Sequence, residues 1–302
     1  MSFKIRLLDP WAPEEGRRLV VGEFDFWTEW GREEADGLLS KWRPDPELLE
    51  FPGPRVWYCC EPRSTSKLYE SEEWQRVIQH LKPDQMLHHQ HADPERRVPH
   101  ITHWGKIGVD GREDRKAKAV AVASNFGGPP RNRWKAMRRR VAFATHGLVD
   151  LYGRRESWEK FRRHLWSWPG LPKNYAGEIP GGWGVEEKLG RMAQYRVAVC
   201  LENTCEPNYF TEKFVDAVRA GCIPVYHAHD TVREGILRDA QWVDPEDYGW
   251  EVETTLEAAL REDGGGYRET NAKWLQSKAV RATSAREVYR RIAEVLAAQD
   301  GC

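Results

Sequence analysis

The sequence predicts an α/β protein of two domains, each built on a mostly parallel sheet, with a cleft between them. Three observations lead there. Short β-like runs alternate with amphipathic helical segments, which is the pattern of βαβ units with helices on both sheet faces. The alternation is interrupted by a polar stretch, GVDGREDRKAK (108–118), and then restarts. The length of 302 residues suits one large or two ordinary domains.

In chain order, FKIRLL (3–8), RRLVVGEFDF (17–26) and RVWYCC (55–60) read as strands, and EEWQRVIQHL (72–81) as a helix. A loop-rich segment with five histidines, His88, His89, His91, His100 and His103, follows. After the polar hinge, AVAVAS (119–124) is a buried strand that runs into NFGGPPR (125–131), and 132–146 is helical. LVDLYG (148–153), RVAVCL (196–201) and CIPVYH (222–227) are strands; 185–195 and 211–221 are helices, and 284–299 is a long helix expected to pack back across. The domains expected are 1–112 and 113–302, the second including helix 284–299.

Composition narrows the classes of function. Net charge is -1 with 31% charged residues, against a dominant nucleic-acid or membrane-surface role. No apolar run approaches the roughly 20 residues that span a bilayer, and the start lacks the apolar core of a signal peptide. The six cysteines form no Cys-x-x-Cys pair, so reduced thiols and a cytoplasmic location are expected. Peripheral membrane contact is left open. The 15 tryptophans read first as packing residues; the sharper reading is that some line a sugar site. The His-His-x-His spacing lacks a matching Cys or acid pattern. Those histidines are expected at the surface, with polar contacts from their loop to a ligand as the alternative and no metal site.

In open parallel sheets, ligands bind at the carboxyl ends of strands. Two connections there carry chemistry. In LENTCEPNYFTEK (201–213), Thr211 is a candidate N-cap, followed by Glu212 and Lys213 in the first helical turn. A lysine at the positive end of a helix is out of place unless an anion sits there. A phosphate would make Lys213 its counter-charge, with Glu212 on a ribose diol; solvated helix-start residues are the plain alternative. Asn203 and Tyr209 could contact a ligand or shape the loop. Glu202, directly after a buried strand, needs a partner or a raised pKa. In SNFGGPPRN (124–132), Gly127 and Gly128 allow close backbone approach, and Arg131 repeats the Lys213 paradox. Arg131 also belongs to a basic helix face with Arg133, Lys135, Arg138, Arg139 and Arg140. That face has too few interleaved aromatics for a nucleic-acid site.

The stretch 195–228 resembles the donor-binding signature of the α-1,3/1,4-fucosyltransferases, glycosyltransferase family 10. It matches at Tyr195, Glu202, Asn203, Thr204, Tyr209, Thr211, Glu212, Lys213, Ala217, Gly221, Ile223, Pro224 and Val225. The upstream Ser124, Asn125 and Arg131 look like the S-N-x-x-x-x-x-R segment of its bacterial members. The resemblance implies a GT-B fold of two Rossmann-like domains. It also implies a sugar-nucleotide donor, GDP-fucose, and a glycan or lipopolysaccharide-type acceptor. By position, Arg131 and Lys213 would neutralise the diphosphate, Glu212 would hold the ribose, and Asn203 and Tyr209 would line the donor site. Ser124, Asn125, Glu202 and Thr211 would support them. Glu61, after the strand 55–60, would be the general base of an inverting transfer. No cofactor is required on this reading, and a divalent cation would at most stimulate. The alternatives are another nucleotide sugar in the same fold, or a non-catalytic glycan- or nucleic-acid-binding protein.

Overall fold

The computed structural model describes residues 2–8, 18–59, 71–91, 97–104, 107–122, 133–142, 147–153, 155, 172–179 and 185–300. The chain divides by its contacts into two compact units. Met1–Gly105, Glu206–Tyr209 and Arg281–Cys302 form the first; Lys106–Cys205 and Phe210–Val280 form the second.

The first unit holds β1 (Phe3–Leu7), β2 (Arg18–Val21), β3 (Phe24–Trp27), β4 (Gly37–Lys41), β5 (Arg55–Cys59) and β6 (Met86–His88). They form one sheet in the order β2-β3-β1-β4-β5-β6. Every pairing is parallel except β2 with β3. The run 17–26, expected as one strand, is therefore an antiparallel hairpin. Gly22 turns it with φ 61, a conformation that costs a glycine little. The side-chain period of 2 sorts the core onto two faces. Leu39, Val56 and Tyr58 point into one cluster. Their neighbours Leu38, Trp57 and Cys59 point into the other, with Leu48 of α1 (Glu47–Glu50) and Val77 of α2 (Glu72–His80).

The first of these faces is covered by the helix Ala285–Asp300. Its Ala285, Val288, Tyr289, Ile292, Ala293 and Leu296 recur at the 3–4 residue spacing of one helical stripe and are buried with Ile5, Leu7 and Phe26. The Tyr289 ring meets Phe26 edge-on at 5.0 Å. Each such burial stabilises by roughly 1.5–3 kcal/mol. This stripe is why the helix belongs with the first unit, whereas 113–302 was expected to form one domain. The division itself falls at 105/106 instead of 112/113.

The second unit holds β7 (Lys116–Val122), β8 (Val149–Tyr152), β9 (Tyr175–Gly177), β10 (Tyr195–Val199) and β11 (Ile223–Val225). The sheet order is β11-β10-β7-β8-β9, with all pairs parallel. Among its helices are α3 (Arg133–Val141), α4 (Val185–Met192), α5 (Glu212–Arg219), α6 (Asp230–Arg233), α7 (Val252–Arg261) and α8 (Gly264–Leu275). Phe214 and Val218 of α5 and Trp274 of α8 pack on one face with Val120 and Ala198. Met137 of α3 and Leu256 of α7 pack on the other with Ala119, Ala121 and Val197. Connections run from β7 outward to β9, then return to β10 on the other side of β7. The strand order thus reverses between β7 and β10, and ligands of open α/β sheets bind in the crevice such a reversal opens.

Candidate functional site

The segment 200–211 follows β10 at this reversal and leads into α5. Thr211 is extended (φ -120) and caps the helix: its hydroxyl accepts from the Lys213 amide at 3.5 Å. The same hydroxyl donates to Glu202, 2.8 Å from either carboxylate oxygen, and the Thr211 amide donates to Oε1 at 2.8 Å. The Tyr226 hydroxyl, one residue past β11, donates to Oε1 at 3.1 Å. Glu202 is only 3% exposed. A carboxylate so buried is costly unless its lone pairs are filled, and these donors fill them.

Lys213 completes the group. Its Nζ lies 3.3 Å from Glu202 Oε2 and 3.3 Å from Glu212 Oε1, and donates to Thr211 Oγ1 at 3.0 Å. Burial pulls the ammonium pKa down, but the Glu202 and Glu212 carboxylates outweigh it and hold the group above its ordinary value. Lys213 is thus a fixed cation at the positive end of α5, its side chain 21% exposed. Glu212 is half-buried beside it.

Arg138 of α3 reaches the same segment. Its Nη1 donates to the Glu202 carbonyl at 3.2 Å and to Asn203 Oδ1 at 2.6 Å. Asn203 is therefore oriented with its oxygen on a guanidinium. The sequence placed Arg138 only on a basic helix face. The signal that could have found it is the three- and four-residue spacing with Lys135 and Trp134, one helical turn back on the same face.

Residues 206–209 pack in the first unit, where the Tyr209 ring lies 5.2 Å from His89 and is 4% exposed. Asn208 makes the bend with φ 59, which asparagine tolerates better than most residues. The Gln90 side chain donates to Glu206 Oε2 at 2.7 Å. The histidine-rich segment is not the surface expected of it: His89 is 2% and His103 5% exposed. Residues 60–70 and 123–132 fall outside the described residues, and with them Glu61, Ser124, Asn125 and Arg131.

A second polar group lies just past β11. His227 Nδ1 is 3.0 Å from Asp244 Oδ1, and Arg233 pairs with Asp244 and, at 3.7 Å, with Glu246. Burial lowers the His227 pKa, but hydrogen bonds to Asp244 and Cys205 outweigh it and push it up to about 9. Trp134 stacks near the imidazole at 6.4 Å and Trp250 meets it edge-on at 4.6 Å. His227, Asp244 and Glu246 offer ligand atoms within 4.8 Å of one another, near enough for one cation. Arg233 and the His227 proton already neutralise these carboxylates.

No known family's profile matches the chain, and no curated protein sequence matches it. Solved structures do. An α1,3-fucosyltransferase with GDP superposes with a TM-score of 0.54 at 13% identity, covering 98% of this chain and 90% of the other. The GDP-fucose complex of an α1,3-fucosyltransferase gives 0.51 at 14% over the same shares. A UDP-forming trehalose-phosphate synthase from Burkholderia xenovorans gives 0.52 at 12%, covering 89% and 75%. The fold is GT-B. At these identities the likeness is one of fold. Among the described residues, no helix is long and apolar enough to cross a membrane.

Proposed function

We propose that this chain is an inverting glycosyltransferase that moves fucose from GDP-fucose to a hydroxyl of a glycan acceptor. The observation that carries this reading is the fixed Lys213 ammonium at the N-terminus of α5, held by Glu202 and Thr211 at the strand-order reversal. A diphosphate at a helix N-terminus gains from free N–H groups and from the dipole. The GT-B fold and the family-10 signature of 195–228 support the choice of a sugar nucleotide.

In this reading Lys213, with Arg138 of α3 and with Arg131, neutralises the diphosphate as it leaves, which is electrostatic catalysis of the oxyanion-hole kind. Glu212 takes the ribose diol and Asn203 lines the donor. The acceptor hydroxyl attacks the anomeric carbon, the bond to the diphosphate oxygen breaks, and Glu61 takes the hydroxyl proton. The free cysteines Cys200, Cys205 and Cys222 accord with a cytoplasmic enzyme.

The test is direct. Thermal unfolding with a nucleotide panel should show stabilisation by GDP. Incubation with GDP-fucose and small oligosaccharides should give a product one fucose heavier. Stabilisation by UDP and not GDP would reject the donor. Transfer surviving in both Lys213→Ala and Glu61→Ala would reject the roles.

A further inference from the structure

The proposed function leaves unused a group at the corresponding position of the first unit's own sheet. There the chain runs from β1 out to the edge strand β2, comes back to β3 beside β1, and crosses to β4 on the other side of β1. The strand order reverses between β1 and β4, and Trp42 is the first residue past β4. Trp42 has φ 71, a left-handed conformation that is a genuine outlier for a bulky residue. Such backbones persist where the surroundings over-determine them, and they concentrate at binding and catalytic sites.

The surroundings here do over-determine it. The Trp42 amide donates to the Tyr58 carbonyl at 2.9 Å, and the Trp57 indole donates to the Trp42 carbonyl at 3.3 Å. The buried Ser40 hydroxyl donates to the Arg43 carbonyl and accepts from the Asp45 amide at 3.1 Å. What the turn presents is a cation between two indoles. The Arg43 guanidinium lies 5.0 Å from the Trp42 ring centroid and 5.4 Å from that of Trp74 on α2. Arg43 is exposed and both indoles are part-buried. The Trp42 indole Nε1 is buried and has no hydrogen-bond partner among the described residues, so the indole offers a ligand its ring and not its N–H.

We propose that Trp42, Arg43 and Trp74 form the subsite for a pyranose of the acceptor glycan, an assignment that rests on the glycosyltransferase reading above. An indole face packs against the C–H face of a pyranose. A guanidinium offers five N–H donors in a fixed fork, suited to ring and hydroxyl oxygens. A second Trp–Arg group has similar chemistry elsewhere: Arg18 lies 5.4 and 5.7 Å from the Trp27 and Trp30 rings. It lies away from the reversal, on the β2–β3 hairpin side. The Trp30 indole is satisfied by the Asp25 carbonyl, and Lys4 sits 4.5 Å from its ring. It serves as the control.

The experiment uses the full chain, GDP-fucose and a fixed panel of di- and trisaccharides, and follows the panel member that wild type fucosylates best. Arg43→Gln and Trp74→Ala change exposed or part-buried positions and should leave the fold intact. Each should raise the KM for that saccharide about tenfold, with the KM for GDP-fucose and the thermal stabilisation by GDP unchanged. Trp30→Ala should match wild type. Acceptor KM values within about twofold of wild type, or an equal rise in donor KM, would overturn the subsite and leave the function standing. No transfer by wild type to any panel member would instead overturn the function, and the subsite with it.

Discussion

The Lys213 ammonium and the buried Glu202 carboxylate lie 3.3 Å apart, with the Thr211 hydroxyl bonded to both. The lysine that looked misplaced at a positive helix end therefore has a counter-charge within its own loop. Lys213→Met leaves Glu202 buried with its hydroxyl and amide donors alone. It should cost about 1–3 kcal/mol in denaturant unfolding, abolish stabilisation by GDP and lower transfer at least roughly a hundredfold. Glu202→Gln should lose stability too. In the double variant the two losses should be non-additive, since the residues form one network.

Thr211 acts twice, as the cap of α5 and as the bridge between the charges. Thr211→Val keeps the shape and removes the hydroxyl, so urea unfolding should show a loss of about 1–2 kcal/mol. Thr211→Ser should come close to wild type. Equal stability of the Val and Ser variants would refute the bridging role.

The His227–Asp244 pair sets a pH dependence whose sign is fixed. The folded-state pKa is raised from the ordinary 6.5 to about 9. The folded protein therefore binds the proton more tightly than the unfolded chain does. The stability this contributes is complete below about 6.5 and lost as pH rises through about 9. The melting temperature should decline across that window in wild type, and the decline should be shallower in His227→Asn.

Gly221 and Gly249 share a left-handed backbone, φ 68 and 63, but differ in space. A Cβ at Gly221 would meet Arg115 Nη2 and the Asp110 carbonyl at 2.5 Å, whereas at Gly249 it would meet nothing within 4 Å. Gly249→Ala should cost about 1 kcal/mol for the backbone alone, and Gly221→Ala clearly more. Comparable losses in the two variants would show that the Arg115 contact yields without cost.

What was legible in the sequence was local. Thr211, Glu212 and Lys213 are consecutive, so a capping rule and a dipole argument sufficed to single them out. The second unit's strands β7, β8, β10 and β11 are apolar runs between turn signals, and they read correctly as strands. Arg138, Tyr226 and the His227–Asp244 pair were not legible, because their partners lie 17 to 65 residues away and only the sheet order joins them. The strands β6 and β9 have three residues each, too few for alternation to show. The histidine segment misled because polarity was read as exposure, while His89 is enclosed beside Tyr209, a residue 120 positions on.

The helix Ala285–Asp300 has a consequence for the order in which the molecule is made. The second unit draws on residues 106–205 and 210–280. The first unit's sheet lacks the cover for one face until 285–296 emerges from the ribosome. Domains generally fold as units during synthesis, the N-terminal one first. Here the first sheet precedes the second unit in the chain but gains the cover of one face only after it.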